Sequence, residues 1–131
     1  MPEKQKILLD TNFLMLPVQN KVDIFSEIAR ICDSDYSLYV FDKSIDELDK
    51  IISTGKLKDR QAAKIAKALI KSKNIDIINS AHGDVDELIL ESAKTERFIV
   101  ATLDKELKCR LKEIGIRIIT LRKGRYLIMC N

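Results

Sequence analysis

Short apolar runs alternate along this chain with segments whose apolar residues recur at helical spacing. Consecutive parallel strands need a crossover between them, usually a helix, and strands buried on both faces form unbroken apolar runs. The alternation therefore predicts an α/β fold: a small central parallel sheet between two layers of helices, in a single domain over residues 1–131. The predicted strands are Ile7–Leu9, Leu38–Phe41, Ile75–Ile78, Phe98–Ala101 and Ile116–Leu121.

The intervals between these runs carry the helix signals. Ser44 is the expected N-cap of a helix whose buried face carries Ile45, Leu48 and Ile52, and Gly115 is expected to end the last helix in a left-handed conformation. The segment LRKGRYLIM, residues 121–129, predicts a hairpin with the preceding strand. Three further helix faces are predicted, over Ile24, Ile28 and Ile31, over Ala62, Ile65, Ala66 and Leu69, and over Leu88, Ile89 and Ala93.

Composition excludes several classes of site and location. The cysteines Cys32, Cys109 and Cys130 form no CxxC pair, and His82 is the single histidine, which argues against a zinc site or a disulfide framework and favours a reducing compartment. No apolar stretch approaches the length of a membrane helix or of a signal peptide, so a cytoplasmic protein without a membrane segment is expected. The net charge of +3 is only mildly basic.

Four acidic residues follow predicted strands or lie in the first turn of the next helix: Asp10, Glu47, Asp86 and Asp104. Because ligands bind at the carboxyl edge of open α/β sheets, these four side chains are expected to meet there. Each also has a structural explanation, since helix N-termini attract carboxylates. Asp84 competes with Asp86 as the site acid and is itself a candidate N-cap.

Carboxylates without histidine or cysteine partners select a hard cation. Such a site favours Mg²⁺ or Mn²⁺ over zinc, and one or two ions would activate water for attack on a phosphodiester. Asn12 and Thr102 are the supporting polar residues. Thr102 is expected to donate its hydroxyl to a neighbouring carboxylate and hold it in place, as outer-shell partners of metal ligands do.

Four blocks of the sequence, ILLDTNFLM, VFDKSIDELDKI, VDELILESA and FIVATLDKELKCRLKEIGIRIITLR, resemble the PIN-domain family of ribonucleases over residues 7–121. The resemblance implies a PIN-like fold, metal-binding acids at Asp10, Glu47, Asp86 and Asp104, and Mg²⁺- or Mn²⁺-dependent endonucleolytic cleavage of RNA. The last block is similar to the archaeal and eukaryotic branch that includes nucleases of small-subunit ribosomal RNA processing. VapC-type toxins share the acids and the length, and they imply an antitoxin partner.

The basic residues that follow Asp104 predict binding of RNA phosphates. Each of them singly is also explained as part of a solvated helix face. The expected partners are single-stranded RNA or structured ribosomal RNA, a second copy of the chain in a homodimer, and an antitoxin or a ribosome-assembly protein. A non-enzymatic RNA-binding assembly factor with a structural metal site is a further alternative. An aspartyl phosphatase would need a second Asp where Asn12 stands. The predicted RNA-binding residues are Lys105, Lys108, Arg110, Lys112, Arg122 and Lys123.

Overall fold

One six-stranded sheet with helices on both faces organises the chain in a computed structural model that describes residues 4–80 and 83–131. This confirms the predicted three-layer α/β fold; the expectation about His82 lies outside the described residues. The strands are β1 (Gln5–Leu9), β2 (Tyr36–Phe41), β3 (Asp76–Ile78), β4 (Phe98–Ala101), β5 (Ile118–Arg122) and β6 (Tyr126–Cys130). The helices are α1 (Thr11–Leu14), α2 (Leu16–Gln19), α3 (Ile24–Ile31), α4 (Asp42–Thr54), α5 (Leu57–Ser72), α6 (Val85–Thr95) and α7 (Lys105–Glu113).

The sheet has the order β3-β2-β1-β4-β5-β6, and its first five strands are parallel. The predicted hairpin is present, because β6 pairs antiparallel with β5, from Arg122 opposite Tyr126 to Ile118 opposite Cys130. Lys123 and Gly124 in its turn both have positive φ, as tight hairpin turns require. The hairpin therefore places an antiparallel strand at one edge of the sheet.

Alternate residues of the central strands enter two separate cores. Ile7, Leu9 and Ala101 pack on the face covered by α1–α5, whereas Leu8 and Val100 pack on the face covered by α6 and α7. Strands buried on both faces explain why their sequences are continuous apolar runs.

The carboxyl ends of β1, β2 and β4 lie at the same edge of the sheet, and α1, α4 and α7 begin there. Short connections of this kind put helix N-termini, with their free N–H groups, beside the strand ends. We call this edge the carboxyl edge, and the predicted site acids lie along it.

Among three predictions about the helices, one is wrong, one is confirmed in part and one is confirmed. Ser44 is not an N-cap: β2 runs directly into α4, Phe41 is the cap residue, and Ser44 is fully buried in the first turn. On α5, Ala62 and Ala66 are buried as predicted, but Ile65 is 46% exposed, because the buried face also includes Ala63 and Ile70. Gly115 has φ +76° and ends α7 as predicted.

The termination of α7 follows from its hydrogen bonds. The N–H of Gly115 donates to the carbonyl of Lys112 at 3.0 Å, and the N–H of Ile116 donates to that of Leu111 at 3.0 Å. These two bonds form the Schellman motif that glycine favours. No helix in the two described stretches is both long and apolar enough to cross a lipid bilayer.

Candidate functional site

Asp10 is the buried centre of the carboxyl edge, with 4% of its surface exposed. Its backbone N–H continues the strand ladder by donating to the carbonyl of Ala101 at 2.9 Å. Its Oδ1 accepts the N–H of Thr11 at 2.8 Å, and its Oδ2 accepts the hydroxyl of Thr102 at 2.7 Å. The hydrogen bond expected from Thr102 is thus present, and it fixes the Asp10 carboxylate between β1 and β4.

The Glu47 carboxylate is oriented by the hydroxyl groups of Thr11, which follows β1, and Ser44. The Oγ1 of Thr11 lies 2.7 Å from Oε1 of Glu47 and 2.8 Å from Oγ of Ser44. A hydroxyl has one proton, and an ionised carboxylate only accepts. Thr11 therefore donates to Glu47, and Ser44 donates to Thr11, in a chain that links α1 to the first turns of α4.

Thr11 and Ser44 are site residues that the sequence analysis missed. Both are buried, with 4% and 0% of their surface exposed. Their signals were present, because Thr11 directly follows Asp10 and Ser44 lies three residues before Glu47 on one helix face. The sequence did not show that α4 begins at Asp42, two residues before Ser44. With that start, the Ser44 hydroxyl points towards Thr11 at the end of β1.

Asp104 is the N-cap of α7: its Oδ1 accepts the N–H of Leu107 at 3.0 Å, and its own N–H donates to Oγ1 of Thr102 at 3.2 Å. Thr102 therefore contacts both Asp10 and Asp104. Asp84 is the N-cap of α6, with its Oδ1 accepting the N–H of Glu87 at 2.9 Å. Both carboxylates have a structural role at a helix N-terminus.

Electrostatic interactions join the four predicted acids at this edge. Burial raises the pKa of the Asp10 carboxyl above its ordinary value of 3.8, the charges of Glu47 and Asp104 raise it further, and the Thr102 hydrogen bond opposes them. The pKa of Asp86, an exposed residue in the first turn of α6, is also raised, first by partial desolvation and then by the charges of Asp10 and Asp104. Asp10 thus interacts with Glu47, Asp86 and Asp104, and Asp86 also interacts with Asp104.

These acids are not packed as a closed ligand cage. In residues 4–80 and 83–131, no three Asp, Glu, His or Cys side chains are close enough to hold a metal ion together. Asp10, Glu47 and Asp104 each direct an oxygen to a hydroxyl or N–H donor, and their like charges repel. The donor set nevertheless fits Mg²⁺, which usually keeps several waters and needs only one or two carboxylates.

The remaining predicted residues occupy three different positions. Asn12 is exposed in α1, beside the carboxyl edge. Arg110 forms an ion pair with Glu87 of α6, with Nη1 3.1 Å from Oε1, and Lys105 is exposed in the first turn of α7. The other four predicted RNA-binding residues line one groove between α7 and the β5–β6 hairpin: Lys108, Lys112, Arg122 and Lys123.

Several known proteins are similar to this chain in sequence or in fold. The model of the PIN like domain family matches residues 7–124. Ribonuclease VapC4 of Methanocaldococcus jannaschii is 34% identical over 92% of this chain and 93% of its own length, and Ribonuclease VapC9 of Archaeoglobus fulgidus is 27% identical over 90% and 84%. The solved structure of the PIN domain endonuclease Utp24 has the same fold, with a TM-score of 0.77 and 24% identity over 95% of this chain and 90% of that chain. This chain belongs to the PIN like domain family.

Proposed function

We propose that the 131-residue chain acts as one nuclease domain, an endoribonuclease that hydrolyses RNA phosphodiester bonds with Mg²⁺ or Mn²⁺. The observation that supports this most is the Asp10 carboxylate, which is 4% exposed and held by Thr102 within the field of Glu47, Asp86 and Asp104. Burying an ionised carboxylate beside like charges is unfavourable unless a cation or hydrogen bonds compensate it. The names of the two VapC relatives support RNA as the substrate.

Each acid has a distinct part in this proposal. Asp10, Glu47, Asp86 and Asp104 would hold one or two divalent cations, directly or through water, and would orient the scissile phosphate by way of those cations. A bound cation would supply the positive charge that lowers the pKa of water and stabilises the leaving oxygen. Thr102, Thr11 and Ser44 keep the Asp10 and Glu47 carboxylates oriented, and Asn12 is placed to bond substrate or water.

Cleavage of labelled single-stranded RNA by metal-free protein, with and without added Mn²⁺, tests the proposal. We expect cleavage only with Mn²⁺, and we expect Asp10→Asn to reduce its rate at least 100-fold, because removing one catalytic electrostatic group typically costs about 10²–10³ in rate. Equal cleavage by wild type and Asp10→Asn would place the activity elsewhere. Wild-type protein that binds RNA without cleaving it would favour the non-enzymatic assembly factor.

The N-cap residues provide matched variants, because asparagine caps a helix about as well as aspartate. Asp104→Asn should keep the stability of α7 and lose cleavage. Asp23→Asn is the control, because Asp23 caps α3 and does not interact with the four acids. The hydroxyl of Ser26 is the largest cause that lowers the pKa of Asp23, and Lys73 is the charged neighbour that also lowers it. Asp84→Asn should likewise retain cleavage while Asp86→Asn loses it. The reverse result for this last pair would make Asp84 the site acid.

One proposed cellular role is that of a VapC-type toxin controlled by an antitoxin. The similarity to VapC4 favours this role, because it covers almost the whole of both chains. Ribosomal RNA processing is the other role, and for either role we propose the cytoplasm as the location. A small antitoxin-like reading frame next to the gene, whose product binds this protein and inhibits cleavage, would support the toxin. Sequencing of cleaved cellular RNA that found only a precursor of small-subunit ribosomal RNA would support processing.

A further inference from the structure

A basic groove runs between α7 and the β5–β6 hairpin. Its charged walls are Lys108 and Lys112 on the helix and Arg122 and Lys123 on the hairpin, and Ile128 contributes to its lining. Among the described residues, no carboxylate lines it. We name it the α7–hairpin groove.

The groove exists because the layer of α6 and α7 does not extend over β6. Alternation along β5 puts Ile118, Thr120 and Arg122 on one sheet face, and their partners on β6 include Ile128 opposite Thr120. On that face α7 buries Ile118 in its core, whereas Ile128 on the edge strand stays partly exposed. Because α7 covers β5 and leaves β6 partly exposed, the surface between the helix and the edge strand is concave.

Both walls of the groove begin at the carboxyl edge. On the helix, Asp104, Lys108 and Lys112 recur every four residues and form one line from the N-cap, about 12 Å long at 1.5 Å per residue. On the sheet, β5 runs parallel to β4 and ends at Arg122, beside the carboxyl end of β4. The groove therefore starts on the side of the sheet where the predicted acids lie.

The charges in the groove are available to a ligand. Nζ of Lys108 lies 3.3 Å from the hydroxyl of Thr120, a neutral partner that orients the ammonium and leaves its charge uncompensated. Arg110, on the same helix, differs because Glu87 compensates it. Lys112, Arg122 and Lys123 are exposed, so four cations meet in a groove that no carboxylate of residues 4–80 and 83–131 lines.

We propose that the α7–hairpin groove binds the phosphate backbone of single-stranded RNA on one side of the carboxyl edge. The proposal rests on the proposed ribonuclease function and divides the predicted RNA-binding residues: the four groove residues contact phosphates, whereas Arg110 does not. Cations that neutralise phosphates bind any sequence and make the affinity dependent on salt. The groove would thus increase the affinity for RNA and set the direction of the bound strand relative to the carboxyl edge. It would contribute little base specificity.

The test measures binding in an Asp10→Asn background, where cleavage does not interfere. The affinity of a fluorescein-labelled oligouridine is measured by anisotropy over a series of NaCl concentrations, with Lys112→Gln/Arg122→Gln compared with the parent. Each lost phosphate contact reduces the slope of log K against log salt by about 0.7 for a single strand. The double variant should therefore bind more weakly at low salt and lose about 1.4 from that slope.

Two control variants separate the groove from general charge. Lys58→Gln/Lys64→Gln removes the same charge from exposed positions on α5, in the layer on the other sheet face, and Arg110→Gln removes the ion-paired cation of α7. Both should keep the parent's slope. A groove variant with an unchanged slope, or a control with an equal loss, would overturn the proposal. Failure of wild type to cleave RNA would contradict the nuclease function alone, because the slope is measured without cleavage.

Discussion

Hydroxyl groups hold the acids of the carboxyl edge at the scale of single residues. Thr102 donates to Asp10, and Thr11 donates to Glu47, at 2.7 Å in both cases. Hydrogen bonds to charged groups contribute about 1.5–3 kcal/mol, more than those between neutral groups. They offset part of the unfavourable burial of Asp10 and restrict its carboxylate to one orientation.

Thr102→Val tests this positioning, because valine keeps the shape of threonine and removes the hydroxyl. We expect Mn²⁺ affinity to fall about 10- to 100-fold, as it does when outer-shell partners of metal ligands are lost. The free energy of unfolding should fall by about 1–3 kcal/mol, because the buried carboxylate loses a donor. Calorimetric Mn²⁺ titration and urea unfolding measure the two effects.

Thr95→Val is the matched control. Its hydroxyl donates to a backbone carbonyl of its own helix, at Glu91, on the surface. It should bind Mn²⁺ like wild type. If Thr102→Val also binds Mn²⁺ like wild type, Thr102 does not position a metal ligand.

At the scale of secondary-structure elements, side chains at helix starts connect the strand ends to one another. Asp42, the first residue of α4, accepts the hydroxyl of Ser80 at 2.7 Å and also its backbone N–H at 3.2 Å. Ser80 lies just after β3, so this contact joins the helix that carries Glu47 to the segment leading to α6.

The Asp42–Ser80 contact predicts a dependence of stability on pH. The hydroxyl of Ser80 is the largest cause that lowers the pKa of Asp42 below its ordinary value of 3.8. A lowered pKa contributes stability above the pKa of the unfolded chain, and that contribution is lost as the pH falls through the folded value. Urea unfolding should therefore show Ser80→Ala less stable than wild type at neutral pH, with the difference decreasing below about pH 4.

Ser53→Ala provides the control for this pH series. The hydroxyl of Ser53 donates to the carbonyl of Asp49 within the same helix, at 3.1 Å, and that carbonyl does not titrate. Its effect on stability should be the same at each pH. A Ser80→Ala difference that stayed constant down to pH 3 would show that the charge of Asp42 does not depend on this contact.

At the scale of the whole molecule, the parallel sheet brings like charges together at one edge. The acids interact at the ends of β1 and β4 and the starts of α4 and α6, and the α7–hairpin groove begins beside them. A divalent cation would relieve the repulsion, and a ligand that binds only the folded state stabilises it.

Thermal unfolding of metal-free protein with added Mn²⁺ measures this stabilisation. At 100 times the dissociation constant the gain is about 2.7 kcal/mol, which is a rise of roughly 5 to 15 °C for a chain of this size. Asp10→Asn should show a much smaller rise, and NaCl at matched ionic strength controls for screening. An unchanged melting temperature in Mn²⁺ would contradict the metal site.

Sequence patterns alone predicted the order of the strands and of the helices from α3 onwards, the hairpin, the glycine end of α7 and the family; α1 and α2 were not predicted. These features depend on local patterns: apolar runs, helical spacing, turn residues and the acid at each strand end. β4 has the predicted bounds, Phe98–Ala101, because its four buried apolar residues are flanked by the polar residues Arg97 and Thr102.

Local sequence patterns did not predict which polar side chains meet. Ser44 has the sequence of an N-cap, but the direct passage from β2 to α4 turned its hydroxyl towards Thr11. Arg110 and Lys112 are near neighbours in one basic segment, yet Glu87 compensates the first and an acid-free groove contains the second. Contacts between residues far apart in sequence depend on packing across layers, and local patterns do not carry that information.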